Sequence, residues 1–162
     1  MTELEVIIEH GNWARLGDAE ALARRAVEAA FAVAANGPRE PVEISLLLSD
    51  DASVQDLNRR WRGLDKPTNV LSFPASAPPS PDGTRPLGDL VLAWETVARE
   101  AEEEGKPVAD HVTHLVVHGT LHLLGYDHEI EHEAEAMEAR EIEALARLGI
   151  GNPYRDMAAR PA

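Results

Sequence analysis

Apolar positions along the chain alternate between short continuous runs and helical stripes. Leu4–Glu9 is short and rich in β-branched residues, which predicts a strand. From Asp18 to Ala35, Leu22, Ala26, Ala29, Ala30 and Val33 recur at helical spacing, with Asp18 placed to cap the helix. Asn36-Gly37-Pro38 stops it. Val42–Leu48 is dominated by apolar residues, the length and composition of a buried strand. Ser49 or Asp50 then caps a helix reaching about Arg60, and Asn69–Phe73 and Leu87–Ala93 read as two further strands. Between these, Pro74–Pro86 carries five prolines and no hydrophobic period, as a surface loop does. Thr96–Glu104 is helical up to Gly105-Lys106-Pro107. Val108–Leu124 is a strongly apolar helix, and Glu129–Leu148 is a last helix ending at Gly149.

Mixed elements of this kind predict an α+β fold: one domain over 1–150, with a small mixed sheet of about four strands, about five helices, and the Val108–Leu124 helix at its centre. Residues 151–162 are expected to form a flexible tail. The 162 residues suffice to bury a core. No apolar run is long enough to span a bilayer, and the acidic N-terminus lacks a signal-peptide pattern. A cytoplasmic protein is the expectation. Cysteine is absent, so any metal must rest on nitrogen and oxygen ligands.

Charge changes this picture locally. The net charge of -14 repels polyanions at long range. Glutamates at 129, 131, 133, 135, 138, 141 and 143 read as the solvated face of the last helix. Arg59, Arg60, Arg62 and Lys66 run the other way, offset only by Asp65. Such a basic face can hold phosphates, because screening limits distant charges to a reach of about 8 Å at physiological salt.

Candidate chemistry concentrates in His118-Gly119-Thr120-Leu121-His122-Leu123-Leu124-Gly125-Tyr126-Asp127-His128. His118 and His122, four apart, share one helix face. Gly125 is where the helix would end, so that the chain doubles back and His128 can approach the pair. Three converging imidazoles form a metal site with one position left for water. Zinc there lowers the pKa of bound water to about 7, which makes hydrolysis the natural reaction class. Nickel, copper or iron would suit the same donors. Zinc proteases place a glutamate after the first histidine of the motif; here that position is Gly119, so a peptidase would need its base from elsewhere. His111 and His114 lie on or near the same face. His114 is open between a ligand, a substrate contact and a hydrogen-bonded histidine beneath the site. His132 reads as a surface residue, and His10 as unrelated.

That block, together with Leu57–Pro74 (Leu-Asn-Arg-Arg-Trp-Arg-Gly-Leu-Asp-Lys-Pro-Thr-Asn-Val-Leu-Ser-Phe-Pro) and Leu87-Gly88-Asp89-Leu90, resembles the YbeY family of bacterial endoribonucleases in order and spacing. The resemblance implies a metal-dependent endonuclease for single-stranded RNA. It implies a role in 3′-end maturation of 16S ribosomal RNA and in ribosome quality control. One zinc, or another divalent ion, would sit on His118, His122 and His128, and the family's essential arginine matches Arg62. Trp61 stands where tyrosine is common, and Leu64 where the family often has lysine. The implied partners are single-stranded RNA, the 16S precursor, and the small ribosomal subunit with its proteins; neither membrane nor DNA is expected.

Arg62 suits its implied role, since a guanidinium offers a planar fork of donors to the non-bridging oxygens of a phosphodiester. The alternative is a weak surface pair with Asp65. His114 would orient substrate or carry a proton. Asp127 would hold a ligand histidine or cap the loop, and Ser72 and Asp89 would support the site from strand ends. Two rivals stand beside this reading. One is a zinc-dependent peptidase or amidohydrolase. The other is a non-catalytic ribosome-assembly factor with structural zinc, which an open fourth position argues against.

Overall fold

Val42, Ile44, Leu46 and Leu48 alternate with more exposed neighbours, so this apolar run lays every second side chain into the core. The strand is the centre of a fold seen in a computed structural model that describes residues 2–35, 37–126 and 131–154. The order is β1 (Thr2–Ile8), a 3-10 turn (Gly11–Leu16), α1 (Ala19–Val33), β2 (Val42–Ser49), α2 (Asp51–Arg62), β3 (Val70–Pro74), β4 (Arg85–Ala93), α3 (Trp94–Glu103), α4 (Val108–Leu123) and α5 (Glu131–Arg147). The sheet order is β1-β2-β4-β3, with β1, β2 and β4 parallel and β3 antiparallel to β4. This is the α+β arrangement with a mixed sheet that the patterning predicts.

Local chemistry sets most boundaries. The Asp18 carboxylate accepts from the Ala21 N–H at 3.0 Å, and Asp50, rather than Ser49, caps α2 by accepting from Ser53 N–H at 2.8 Å. Gly63, at φ 70°, closes α2 two residues later than expected, which carries Arg62 into the last helical turn. β4 starts at Arg85 instead of Leu87. Pro86 fits because the pairing with β2 shifts register between Glu43 and Ile44, where the ladder is already interrupted.

One sheet face is dry: Ile44, Leu46, Leu48, Leu90 and Leu92 form a single core with α1, α4 and α5. Trp13 is fully buried there, edge-on to Trp94 at 5.1 Å, and its indole N–H donates to the Ser49 carbonyl at 3.0 Å. The other face carries a smaller cluster of Val54, Leu71, Val91 and Ala93 beneath α2. Among the described residues no helix is long and apolar enough to cross a membrane.

The histidine helix packs against the sheet through Gly119. A Cβ at that position would lie 2.7 Å from a Leu90 methyl and 3.3 Å from the Ser72 hydroxyl oxygen. Glycine therefore permits the close approach that sets His118 and His122 beside β3.

Candidate active site

The His118 and His122 rings stand 4.7 Å apart, centroid to centroid, at 79°. They line an open cavity of about 610 Å³ together with Arg62, Asn69, Ser72 and Tyr126. The helix ends as expected. Gly125 has φ 101°, its N–H donates to the His122 carbonyl at 2.9 Å, and the Tyr126 N–H donates to the Leu121 carbonyl at 3.1 Å. The Tyr126 hydroxyl accepts from the Ala35 N–H at 3.0 Å and pins the turn to the end of α1. Asp127 and His128 lie outside the described residues. Among the described residues no three His, Asp or Glu side chains are disposed to hold an ion. A centre on His118 and His122 thus needs another donor, and His128 is the one the motif offers.

Behind this wall sits Glu141, fully buried. Its Oε1 accepts from His114 Nε2 at 2.7 Å, His118 Nδ1 at 3.1 Å and the Tyr154 hydroxyl at 2.8 Å. Burial alone would raise its pKa, but the hydrogen bonds from His114 and His118, and their charge, outweigh it and hold the carboxyl at about 2. Burial and the adjacent Glu141 charge push the Tyr154 hydroxyl far above its ordinary value, so it is a neutral donor. With Nδ1 of His118 donating to a carboxylate, the ring's lone pair sits on Nε2, the arrangement second partners impose on metal-binding histidines.

His114 does not line the His118–His122 cavity. It borders a neighbouring one of about 480 Å³ with His111, Glu100, Glu104 and Tyr154. His111 is buried and its Nε2 lies 2.8 Å from Glu100, which also accepts from Asn69 Nδ2 at 3.0 Å. Burial raises the Glu100 pKa, but the bonds from His111 and Asn69 leave it below its ordinary value. His111 therefore ties α4 to α3.

Arg62 does not pair with Asp65, whose carboxylate accepts from Gln55 Nε2 at 3.0 Å. Instead Nη2 of Arg62 donates to the Ser72 carbonyl at 3.0 Å, on the outer strand β3, and the guanidinium lies 5.8 Å from the Phe73 ring centroid. Arg59 and Arg60 pair with Asp56 at 2.6 and 3.6 Å on the surface. Ser72 lines the histidine cavity as expected, but Asp89 lines a groove on the opposite sheet face, because alternate side chains of a strand point to opposite sides.

Two residues with a clear place here escape a local reading. Glu141 belongs to a glutamate run read as solvated, yet it falls in the stripe Met137-Glu141-Ala144-Leu145 that faces the core. A carboxylate inside an apolar stripe of period 3.6 was the available signal. Tyr154 falls in the segment expected to be a flexible tail; 155–162 lie outside the described residues, and no local pattern marks Tyr154. His132 is exposed, as expected, and His10 accepts from the Asn12 N–H at 3.3 Å to open the 3-10 turn.

These features define an α+β protein in which a histidine helix and an arginine at a sheet edge share one open cavity. Comparison with known proteins narrows the class. The profile of the family described as Endoribonuclease YbeY matches residues 9–149. The chain is 53% identical over 155 residues to Endoribonuclease YbeY of Rhodopseudomonas palustris strain BisA53, covering 94% of this chain and 90% of that protein. It is 51% identical over 152 residues to that of Azorhizobium caulinodans, covering 94% and 96%. The solution structure of TM1509 from Thermotoga maritima superposes over 100% of this chain and 99% of that one, with a TM-score of 0.55 at 23% identity, a likeness of fold. The chain belongs to the YbeY endoribonuclease family.

Proposed function

We propose that this protein is a metal-dependent endoribonuclease that hydrolyses single-stranded RNA and acts on the 3′ end of precursor 16S ribosomal RNA. One observation carries the reading within the family. His118 and His122 on α4 and Arg62 on α2, far apart in sequence, line the same cavity. The donor set suits a divalent ion such as zinc: imidazoles, one of them held in the correct tautomer by a buried carboxylate. His118, His122 and His128 would hold it. A bound ion of this kind supplies a Lewis acid for phosphoryl oxygen and lowers the pKa of water to about 7.

The chain's own residues do the rest. Arg62, with one N–H committed to Ser72, keeps further donors of its fork for the non-bridging oxygens. Negative charge collecting there in the transition state is what it stabilises. His114, bound through Nε2 to Glu141, acts by keeping that carboxylate and His118 in register. The peptidase alternative is weakened by Gly119. A glutamate there would clash with Leu90, since even its Cβ would lie 2.7 Å from a Leu90 methyl.

An enzyme of charge -14 gains little long-range attraction from RNA. Docking on the small ribosomal subunit in the cytoplasm, through its proteins, would present the strand and fits the role in ribosome quality control.

The test is cleavage of a single-stranded 16S precursor fragment, with metal content measured on the same sample, beside His122→Ala and Arg62→Ala. The expected result is about one ion per chain, cleavage by wild type, none by folded His122→Ala, and cleavage slowed about 10²- to 10³-fold in folded Arg62→Ala. Cleavage that survives His122→Ala in folded protein would falsify the metal reading.

A further inference from the structure

The sheet face opposite the main core is only half roofed by α2. Beyond the Val54–Leu71–Val91 cluster it leaves an open groove of about 670 Å³, walled by Ile7, Leu47, Leu57, Trp61 and Phe73, with Asp89 at its floor. Trp61 is 71% exposed, whereas Trp13 and Trp94 are 0% and 5% exposed. An indole presented to water at the end of a helix contributes almost nothing to the fold, and large exposed apolar surface marks interaction sites.

The position of the groove says what the partner is. It abuts the histidine cavity, and Pro74 lines both. Trp61 precedes Arg62, and Phe73 follows Ser72, the two cavity-lining residues joined by a hydrogen bond. The Arg62 guanidinium therefore stands where the two spaces meet. Residues 56–66 carry four cations against two carboxylates; Arg59 and Arg60 share Asp56, which leaves the rim net positive in a chain whose net charge is -14. A rim of that sign attracts phosphates, while Asp89 inside the groove repels them and can accept from the amino edge of a base. Single-stranded RNA offers both parts: phosphates for the arginines and unstacked π-faces for an aromatic platform.

We propose that Trp61 and the groove behind it receive a nucleobase of single-stranded RNA, next to the phosphate held at Arg62. The proposal rests on the endoribonuclease reading, and it adds a subsite that selects unpaired RNA, since a base locked in a duplex cannot stack on the indole.

The experiment measures binding and cleavage of one fluorescently labelled single-stranded RNA dodecamer by wild type, Trp61→Ala and Trp61→Phe. A base–aromatic stack has a strength that predicts about 5- to 150-fold weaker binding for Trp61→Ala. Most of this should return in Trp61→Phe. KM for the dodecamer should rise with kcat nearly unchanged. The salt dependence of binding should also be unaltered, because no phosphate contact is lost. In wild type, RNA should quench the exposed indole and shield it from acrylamide, a signal absent from Trp61→Ala. If wild type cuts the dodecamer and Trp61→Ala does so with the same KM and affinity, the subsite is wrong while the nuclease reading stands; the groove then belongs to a protein partner. If wild type neither binds nor cuts it, both fall.

Discussion

Glu141 on the histidine wall is fully buried beneath three donors, while Arg62 across the cavity is exposed and held by one bond to a backbone carbonyl. In the proposed chemistry the two walls answer different demands. Ligands to an ion must hold fixed distances, and a carboxylate shared by His114, His118 and Tyr154 makes their wall stiff at the cost of burying a charge. A cation that meets a moving phosphodiester needs reach and hydration, and one hydrogen bond at an edge strand anchors it without locking it. The proposed chemistry divides along the same line, with preorganisation on α4 and substrate handling on α2 and β3.

The largest expected effect is at Arg62. Arg62→Ala should lower kcat by about 10²- to 10³-fold with metal content and melting temperature close to wild type, as loss of an electrostatic contact to the transition state does. A large fall in metal content would show that the walls are not independent. On the opposite wall, Glu141→Gln should weaken metal binding by about 10- to 100-fold, read by competition with a chromophoric chelator. Excess metal should restore most of its activity, whereas it should not rescue Arg62→Ala.

Acid titration separates the two walls as well. The Glu141 carboxyl is held at about 2 against an ordinary value of 4.5. A carboxyl depressed in the folded state stabilises fully above its unfolded pKa, and that share is lost as pH falls from 4.5 toward 2. Wild type should lose stability across that window in denaturant titrations of the metal-free protein, and Glu141→Gln should lose less. Tyr154→Phe removes one neutral donor to the same oxygen and should cost about 1 kcal/mol of stability. The smallest effect belongs to Arg59→Ala. Its pair with Asp56 is exposed, so unfolding free energy should change by less than about 1 kcal/mol.

Much of the layout follows from local rules. The i, i+4 spacing of His118 and His122, the Asp18 cap, the Gly125 stop and the strand at Val42–Leu48 each depend on covalent geometry and a few neighbouring residues. The structure reproduces them. The family was legible for the same reason, because its signature blocks are continuous in sequence. The turn at Gly11–Leu16 was not, since it has no apolar period and is organised around a buried Trp13. Nor was the strand role of Pro86, which depends on a register shift against β2 more than forty residues away.

Which helix carries the histidines, where it stops, and which segment holds the arginine thus follow from the order of residues alone. Packing between elements sets the rest: Arg62 turns to the β3 edge rather than to Asp65, Asp89 faces away from the cavity, and Glu141 is the buried partner of His114 and His118. Helical spacing is set by bonds within one turn. The surroundings of a charge are set by packing between elements, and Glu141 lies 23 and 27 residues from the histidines it holds.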